Sequence, residues 1–389
     1  MTDFPFSKLL TDTKHFPPTN YLPLMAITST SHYRLLPRRA PLPFLRSSSV
    51  SFLPGRVLSA AATTTTTTTS SSITWDDVAR ASRHTSSDLS GFFDKIKSIN
   101  RGSEFQGDFV KFRVEDQLVG YVHHQFVDHL RKFGDVFDFP GPAVTLRETL
   151  RTAEDRTKAL DDVVKCLAGL EDGGVAGGEL IPGIRNEKYP VTSSFGSPPY
   201  FSLERAAAPF FGIKAYGVHM NGFVERDGKK FLWIAKRSAA KPTYPGMLDH
   251  LVAGGLPHGI SCQDNIIKEC EEEAGIPAPL AREAMPVGAV SYMDINGYAY
   301  KRDVLFCYDL KLPEAFVPKN IDGEVESFKL IPVSDVANII CQTHYFKANC
   351  NLVIIDFLFR HGYIIFYTVA RCIAYSLDGF FTCSLIYSN

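Results

Sequence analysis

The sequence predicts an α/β protein in which a helix packs on a mixed sheet, behind a smaller α+β domain. Two apolar stretches, AYGVHMNGFV and KKFLWIAKR, flank a short polar turn, which is the pattern of a β-hairpin. Two more strand-like stretches, KRDVLFCYDL and VESFKLIPV, follow later in the chain. Between these two pairs lies an amphipathic helix candidate, Cys262–Ala274, which can cover one face of a sheet.

Composition and charge fit a globular protein with room for two domains and tails. The chain has 389 residues, of which 45% are hydrophobic and 21% are charged, both ordinary values. Its formal net charge of −1 gives no sign of a nucleic-acid or membrane-surface partner. Its eight cysteines include no Cys-x-x-Cys pair and no zinc-site spacing, which favours a reducing compartment.

Residues 1–72 are predicted to be a transit peptide. This leader holds seven Lys or Arg residues but only two acidic ones, is rich in Ser, Thr and Pro, and ends in the run Thr63–Thr69. Such a composition cannot build a core, and its apolar runs are too short for a secretory signal. We therefore expect targeting to the chloroplast stroma. A plain disordered tail, and a mitochondrial or cytosolic location, remain the alternatives.

From residue 73 the composition becomes globular, and residues 73–212 are predicted to form the N-terminal α+β domain. GYVHHQFVDHLRKF has a helix-like pattern, and LRETLRTAEDRTKALDDVVKCLAGL indicates a long amphipathic helix. A glycine-rich loop follows. The second domain is predicted to begin near Lys214 and to span residues 213–363.

The last residues, 364–389, form an unusual apolar and aromatic tail. Only Arg371 and Asp378 are charged after residue 363. The apolar run Tyr363–Leu377 is shorter than a membrane span needs, and Arg371 interrupts it. We therefore predict no membrane span, and interpret the tail as an alternative end that replaces a more polar one.

The helix over Cys262–Ala274 carries both start and stop signals. Ser261 is a suitable N-cap residue, with Asp264 as its partner three positions later. Gly275 fits the left-handed residue that ends a helix, and Pro277 follows it. These signals predict a short helix bounded on both sides.

Three glutamates share one face of this helix. Glu269, Glu272 and Glu273 are spaced i, i+3 and i+4, and like charges at this spacing repel. Lys268 can offset part of the repulsion by reaching Glu272. Hard oxygen ligands on a rigid helix suit Mg²⁺, whereas a charge run is also the ordinary pattern of a solvated face. The spacing alone leaves both interpretations open.

The stretch GGLPHGISCQDNIIKECEEEAGI resembles the Nudix box. Lys268 stands at the box arginine, and Ile260 stands where the first box glutamate would be. The box glycine is Gly254, or Gly255 if the loop is one residue short. The flanking sequence is similar to one branch of Nudix hydrolases, which carries an N-terminal domain of unassigned function and includes plant plastid members.

The resemblance implies a Nudix α/β/α sandwich and hydrolysis of a small-molecule diphosphate. In this branch the favoured substrates are thiamin diphosphate-type compounds, above all oxidised ones, which are cleaved to the monophosphate with Mg²⁺ or Mn²⁺. The three helix glutamates, Glu269, Glu272 and Glu273, would hold the metal, with Glu269 also orienting the attacking water. The glycines Gly254 and Gly255 would allow substrate phosphate close to the backbone.

Other site residues are predicted from their positions around the helix. Glu324, in the turn before a late strand, is the candidate for a further metal ligand or base, with Glu326 in reserve. Arg237 and Lys236 end the second strand, where they can meet substrate phosphate. Exposed side chains without a role in catalysis are the alternative for each of these residues.

Two other functions fit parts of the pattern. An isopentenyl diphosphate isomerase shares the fold but needs a catalytic cysteine, and no loop cysteine is convincingly placed for that role. A degenerate Nudix domain kept for binding would explain Ile260 and Lys268. The sequence does not predict the oligomeric state or the organic half of the substrate.

Overall fold

The computed structural model describes residues 73–83, 89–104, 106–170 and 179–364. The predicted leader, 1–72, and the tail from residue 365 onward lie outside the described residues. Among the described helices, none combines the length and the apolar character that crossing a membrane requires.

The described chain contains eight α-helices and thirteen strands. The helices are α1 Trp75–Ala81, α2 Ser90–Ser98, α3 His124–Leu130, α4 Ala153–Ala168, α5 Cys262–Ala274, α6 Ala278–Ala281, α7 Val333–Gln342 and α8 Ala348–Arg360. The strands are β1 Phe109–Val114, β2 Gln117–His123, β3 Phe137–Asp138, β4 Ala143–Leu146, β5 Lys188–Val191, β6 Phe201–Glu204, β7 Lys214–Arg226, β8 Lys229–Arg237, β9 Leu248–Asp249, β10 Val252–Gly255, β11 Met285–Asn296, β12 Ala299–Lys311 and β13 Val325–Pro332.

The smaller domain, residues 106–213, has the predicted α+β character. Its four-stranded sheet has the order β2-β1-β4-β3, and β5 and β6 form a separate antiparallel pair. Helix α4 packs on β6, and aromatic side chains fill the core between these elements. Phe112, Phe126, Phe201 and Phe211 are each at most 1% exposed. This unit is called the N-terminal domain below.

One helix prediction in the N-terminal domain is half wrong. The stretch GYVHHQFVDHLRKF begins as strand β2, and helix α3 starts only at His124. The strand forms because Val119 and Val122 find partners in the domain core, and Gly120 lets the backbone approach Phe211 closely. Tertiary packing therefore overrides a local pattern that reads as helical.

The second domain is built on a seven-stranded mixed sheet. Its main order is β11-β12-β7-β8-β13, with β10 paired to β7 and β9 paired to β8. Strands β12 and β7 run parallel, while the other pairs are antiparallel. The predicted hairpin is β7–β8, and its turn residues Asp227 and Gly228 have φ of 49° and 72°. Such positive φ values suit the tight turn of a twisted hairpin.

Helices cover both faces of this sheet. Helix α5 packs on the face that carries Val218 and Met220, whereas α7 and α8 pack on the face that carries Phe223 and Ile234. The alternation along β7 sends neighbouring side chains to opposite faces. The predicted α/β/α sandwich is confirmed.

Helices α1 and α2 pack on the second domain, although the sequence places them with the first. Val78 and Phe92 join the buried cluster of α7 and α8. The indole Nε1 of Trp75 donates to Ser327 Oγ of β13 at 3.0 Å. The start of the described chain therefore completes the core beneath the larger sheet.

Candidate active site

Helix α5 has the predicted limits, Cys262–Ala274. The hydroxyl of Ser261 accepts from the backbone N–H of Asp264 at 3.0 Å. Gly275 is left-handed with φ of 61°, and the N–H of Ile276 donates to the Cys270 carbonyl at 2.9 Å. Cys270 is fully buried against the sheet, so the rotation of the helix about its axis is fixed.

This rotation turns three glutamates toward a cleft between the two domains. The cleft has a volume of about 700 Å³. Glu273 Oε2 accepts from the backbone N–H of Ala253 at 2.8 Å. Glu272 is half exposed and pairs with Lys268 Nζ at 2.9 Å, as its spacing predicts. Glu271, by contrast, does not line the cleft and accepts from the N–H of Ala278.

The environment of these glutamates favours a bound cation. Burial raises the pKa of Glu269, and the cations Lys268 and Arg205 lower it only in part. Burial also raises the pKa of Glu273 well above its usual value, and Glu269 adds to the effect. Among the described residues no cationic side chain pairs with Glu273. Adjacent carboxylates withdrawn from water fit a divalent metal ion, because it supplies the missing positive charge.

Both domains contribute to the cleft. Helix α5 provides the acidic side, and the loop before β13 provides Glu324. Strand β5 and the turn after β6 bring in Tyr189 and Arg205 of the N-terminal domain. A site enclosed by two domains can bury most of a small ligand.

Comparison with known proteins decides the family. A model described as NUDIX domain matches residues 215–347, and one described as domain of unknown function (DUF4743) matches residues 91–215. Nudix hydrolase 20, chloroplastic, from Arabidopsis thaliana is 59% identical over 356 residues, covering 88% of this chain and 93% of the relative.

This chain belongs to the Nudix hydrolase family. A second relative, Nudix hydrolase 24, chloroplastic, from Arabidopsis thaliana, is 56% identical and covers 82% of this chain and 87% of its own length. An uncharacterized protein from Saccharomyces cerevisiae is 39% identical and covers 47% of this chain and 57% of its own length. The chain is therefore a hydrolase that acts on phosphoric anhydrides, an enzyme class whose members generally use divalent metals.

Both glycines of the Nudix loop are in close contact with side chains. A Cβ atom on Gly254 would lie 2.2 Å from Glu269 Oε1. A Cβ atom on Gly255 would lie 2.0 Å from the hydroxyl of Tyr189. Because neither glycine has a side chain, Glu269 of α5 and Tyr189 of the N-terminal domain can both lie against this strand without displacement.

The structure places Glu324 on the cleft and Glu326 elsewhere. The backbone N–H of Glu324 donates to Asp322 Oδ1 at 2.8 Å, and its carboxylate pairs with Lys241. Glu324 and Glu273 line the same cleft, and the negative charge of Glu324 adds a small part to the raised pKa of Glu273. Glu326, the reserve candidate, instead pairs at 2.9 Å with Nζ of Lys236, the second candidate for a phosphate contact.

Arg237 lines the cleft, but its guanidinium group is largely occupied. It donates from Nη1 to Asp249 at 3.0 Å, and from Nε and Nη2 to the carbonyls of Tyr244 and Thr243. Only 12% of its side chain is exposed. These contacts give Arg237 a structural role in the loop after β8. That Arg237 binds substrate phosphate stays a prediction, because its N–H groups already bond within the protein.

The structure also shows a buried polar cluster that the sequence analysis missed. Asp249 accepts from Cys350 Sγ at 2.6 Å and lies 3.4 Å from His250 Nδ1. Arg237 and Lys347 both pair with Asp249, so two cations already neutralise its charge. This disfavours a metal ion at Asp249, His250 and Cys350, although their ligand atoms are close together. Only the adjacent Asp-His pair beside the box hinted at this cluster.

Of the two box substitutions, Lys268 has a local explanation and Ile260 has none in the structure. Lys268 Nζ contacts both Glu272 and Glu269, at 2.9 and 3.4 Å, and so pairs with the helix carboxylates from the box arginine position. Ile260 is half-buried and belongs to none of the buried clusters of the described residues. None of the described cysteines lines the cleft, where the isomerase alternative needs one.

Proposed function

We propose that this enzyme hydrolyses the diphosphate of thiamin diphosphate-type compounds, oxidised forms above all, to the monophosphate with Mg²⁺, for which Mn²⁺ can substitute. The observation that carries the proposal is the face of three glutamates that opens onto a two-domain cleft. The substrate class rests on the resemblance of the flanking sequence to one branch of the family. A cleft of about 700 Å³ suits a diphosphate with an organic group attached.

The site residues divide the reaction between them. Glu272 and Glu273 would hold the metal, which when bound neutralises the diphosphate and acidifies a water molecule. Glu269, fixed beside Gly254, would orient the attacking water. Glu324 faces the same cleft and would take the proton or add a ligand oxygen. Gly254 and Gly255 would let the phosphates lie against the backbone.

Turnover of a panel of diphosphates tests this proposal. The products are separated and quantified by chromatography, because ADP-ribose yields AMP and ribose 5-phosphate and releases no free phosphate. The panel contains thiamin diphosphate, its oxidised derivatives, ADP-ribose and isopentenyl diphosphate, each with Mg²⁺, Mn²⁺ or a chelator. We expect the oxidised thiamin compounds to give the highest kcat/KM, and the chelator to abolish turnover. A preference for ADP-ribose by tenfold or more would contradict the substrate assignment. Binding without turnover of any compound would support a degenerate domain.

The chloroplast stroma is the proposed location. The two Arabidopsis relatives are named chloroplastic, and the leader has the composition of a transit peptide. A fluorescent protein fused behind residues 1–72 should enter chloroplasts. A cytosolic or mitochondrial signal from this fusion would contradict the location.

A further inference from the structure

Arg205 belongs to the N-terminal domain and contacts the glycine loop of the second domain at Gly255. Strand β6 ends at Glu204, and a short 3₁₀ turn, Arg205–Ala207, follows. The Glu204 carboxylate accepts from the N–H groups of Ala206 and Arg185, at 3.2 and 2.8 Å. The N–H of Arg205 donates to the Glu187 carbonyl at 2.8 Å. The backbone that presents Arg205 is therefore held on both sides.

The side chain of Arg205 lies against Gly255. Its Nη1 donates to Glu187 Oε2 at 2.5 Å, and its Cζ lies 5.6 Å from the centre of the Tyr189 ring. A Cβ atom on Gly255 would lie 3.1 Å from Arg205 Cζ. The guanidinium group and the glycine backbone are thus neighbours, with the Glu269 carboxylate close enough to interact with both.

Three other cations that line the cleft are paired with carboxylates. Lys268 pairs with Glu269 and Glu272, Lys241 with Glu324, and Arg237 with Asp249. Arg205 makes one side-chain hydrogen bond, to Glu187, among the described contacts. Its remaining N–H groups are available to a ligand in the cleft. A planar guanidinium with free N–H donors can form two parallel hydrogen bonds to phosphate oxygens, a bidentate contact that a lysine cannot make.

We propose that Arg205 binds substrate phosphate above the Gly254–Gly255 backbone, so that the N-terminal domain supplies one wall of the Nudix active site. Glu187 orients the guanidinium, and Tyr189 supports it from below. The domain of unknown function thereby gains a role in catalysis by its neighbour. This inference needs a diphosphate substrate, as the proposed function does, but not a thiamin group.

The test compares Arg205→Ala and Arg205→Lys with a matched control, Arg147→Ala. Arg147 belongs to the same domain and pairs with Asp138 at 3.1 Å on its surface, away from the cleft. On the diphosphate that the wild type cleaves best, Arg205→Ala should lower kcat/KM at least 30-fold. Arg205→Lys should recover part of the loss, and Arg147→Ala should stay within twofold. An Arg205→Ala value within threefold of wild type would overturn the proposal.

A binding measurement keeps the two proposals separate. Imidodiphosphate, which resists hydrolysis, is titrated calorimetrically into the full chain with Mg²⁺ present. We expect Arg205→Ala to weaken its binding at least tenfold, and equal affinity for both proteins would overturn the role of Arg205. If the panel shows no turnover of thiamin compounds but this loss is found, the substrate assignment fails and the phosphate contact stands. Thermal melts confirm that each variant is folded.

Discussion

At the residue scale, glutamates on one helix turn have different surroundings. Glu273 accepts a backbone N–H, Glu269 lies against Gly254, and Glu272 faces solvent beside Lys268. The spacing of the three in the sequence is enough to predict that they share a face. It does not predict which of them is withdrawn from water, because that depends on strand β10 and on the N-terminal domain.

Glu272→Gln should lower turnover by at least two orders of magnitude while the fold survives. Its carboxylate is half exposed, so the change should leave the packing intact, and the lost charge should weaken the proposed metal site. Steady-state kinetics at saturating Mg²⁺, together with a thermal melt, measure both effects.

Glu271→Gln is the matched control for this change. Glu271 lies one position away but outside the cleft, and it only accepts from the N–H of Ala278. We expect its activity to stay within twofold of wild type. Glu272→Gln activity within threefold of wild type would remove the metal-ligand assignment.

The buried His250, whose Nε2 lies 2.8 Å from Nδ1 of the buried His219, should make the protein sensitive to mild acid. Burial, the largest cause, lowers the pKa of His250 to about 4, and Lys347 and Arg237 act in the same direction against Asp249. As the pH is lowered from 6.5 to 4, His250 takes up a proton in the unfolded chain but not in the native protein. The free energy of unfolding therefore decreases as the pH is lowered. Full passage through this window costs about 3 kcal/mol for one such group. Asp249, whose pKa is lowered, adds a loss only at more acidic pH.

Urea unfolding at pH 7.5 and pH 5 measures this dependence. His250→Gln keeps a hydrogen-bonding group but cannot titrate, so its loss of stability between the two pH values should be smaller than that of wild type. An equal loss in both proteins would assign the acid sensitivity to other groups.

At the element scale, the sequence predicts isolated elements better than it predicts their partners. Helix α5 has capping signals at both ends, so its limits are local information. Strand β2 carries no local signal of this kind, and its extended conformation depends on the core of the N-terminal domain, into which Val119 and Val122 pack. The buried Asp249 cluster joins β9 to α8, about one hundred residues apart, and no local pattern carries it.

Gly254→Ala should impair the catalytic helix without unfolding it. The new methyl group would lie 2.2 Å from Glu269 Oε1, a flexible side-chain end that can move aside. Displacing this carboxylate should lower kcat at least tenfold, because small errors in position weaken catalysis strongly. Gly107→Ala has open space around the new atom and is the control. Wild-type turnover by Gly254→Ala would show that Glu269 needs no fixed position.

At the scale of the whole molecule, two domains line the candidate cleft, and α1 and α2 pack with α7 and α8 in the core of the larger domain. The acidic motif of one domain is readable in the sequence. The wall opposite it is not, because Arg205 and Tyr189 carry no pattern that links them to a distant glycine loop. For the same reason, the organic half of the substrate cannot be read from the box.

A chain that begins at Ile73 should fold and be as active as the full chain, whereas one that begins at Asn100 should not. The first keeps α1 and α2, and the second removes Val78 and Phe92 from the core of α7 and α8. Each buried side chain of this kind contributes about 2 kcal/mol. Thermal melts and phosphate release compare the two chains. Equal stability of both would show that α1 and α2 are dispensable, and failure of the longer one would show that the leader is structural.

The hydrogen bond from Trp75 to Ser327 joins the first described helix to the last strand of the sheet. Its two ends are 252 positions apart, so this contact can form only when almost the whole chain is available. Closing so long a loop makes the docking of α1 slow. Until α1 docks, its apolar side is available to chaperones. Folding is therefore expected to depend on chaperone capacity more than that of a domain whose N-terminal helix packs on nearby sequence.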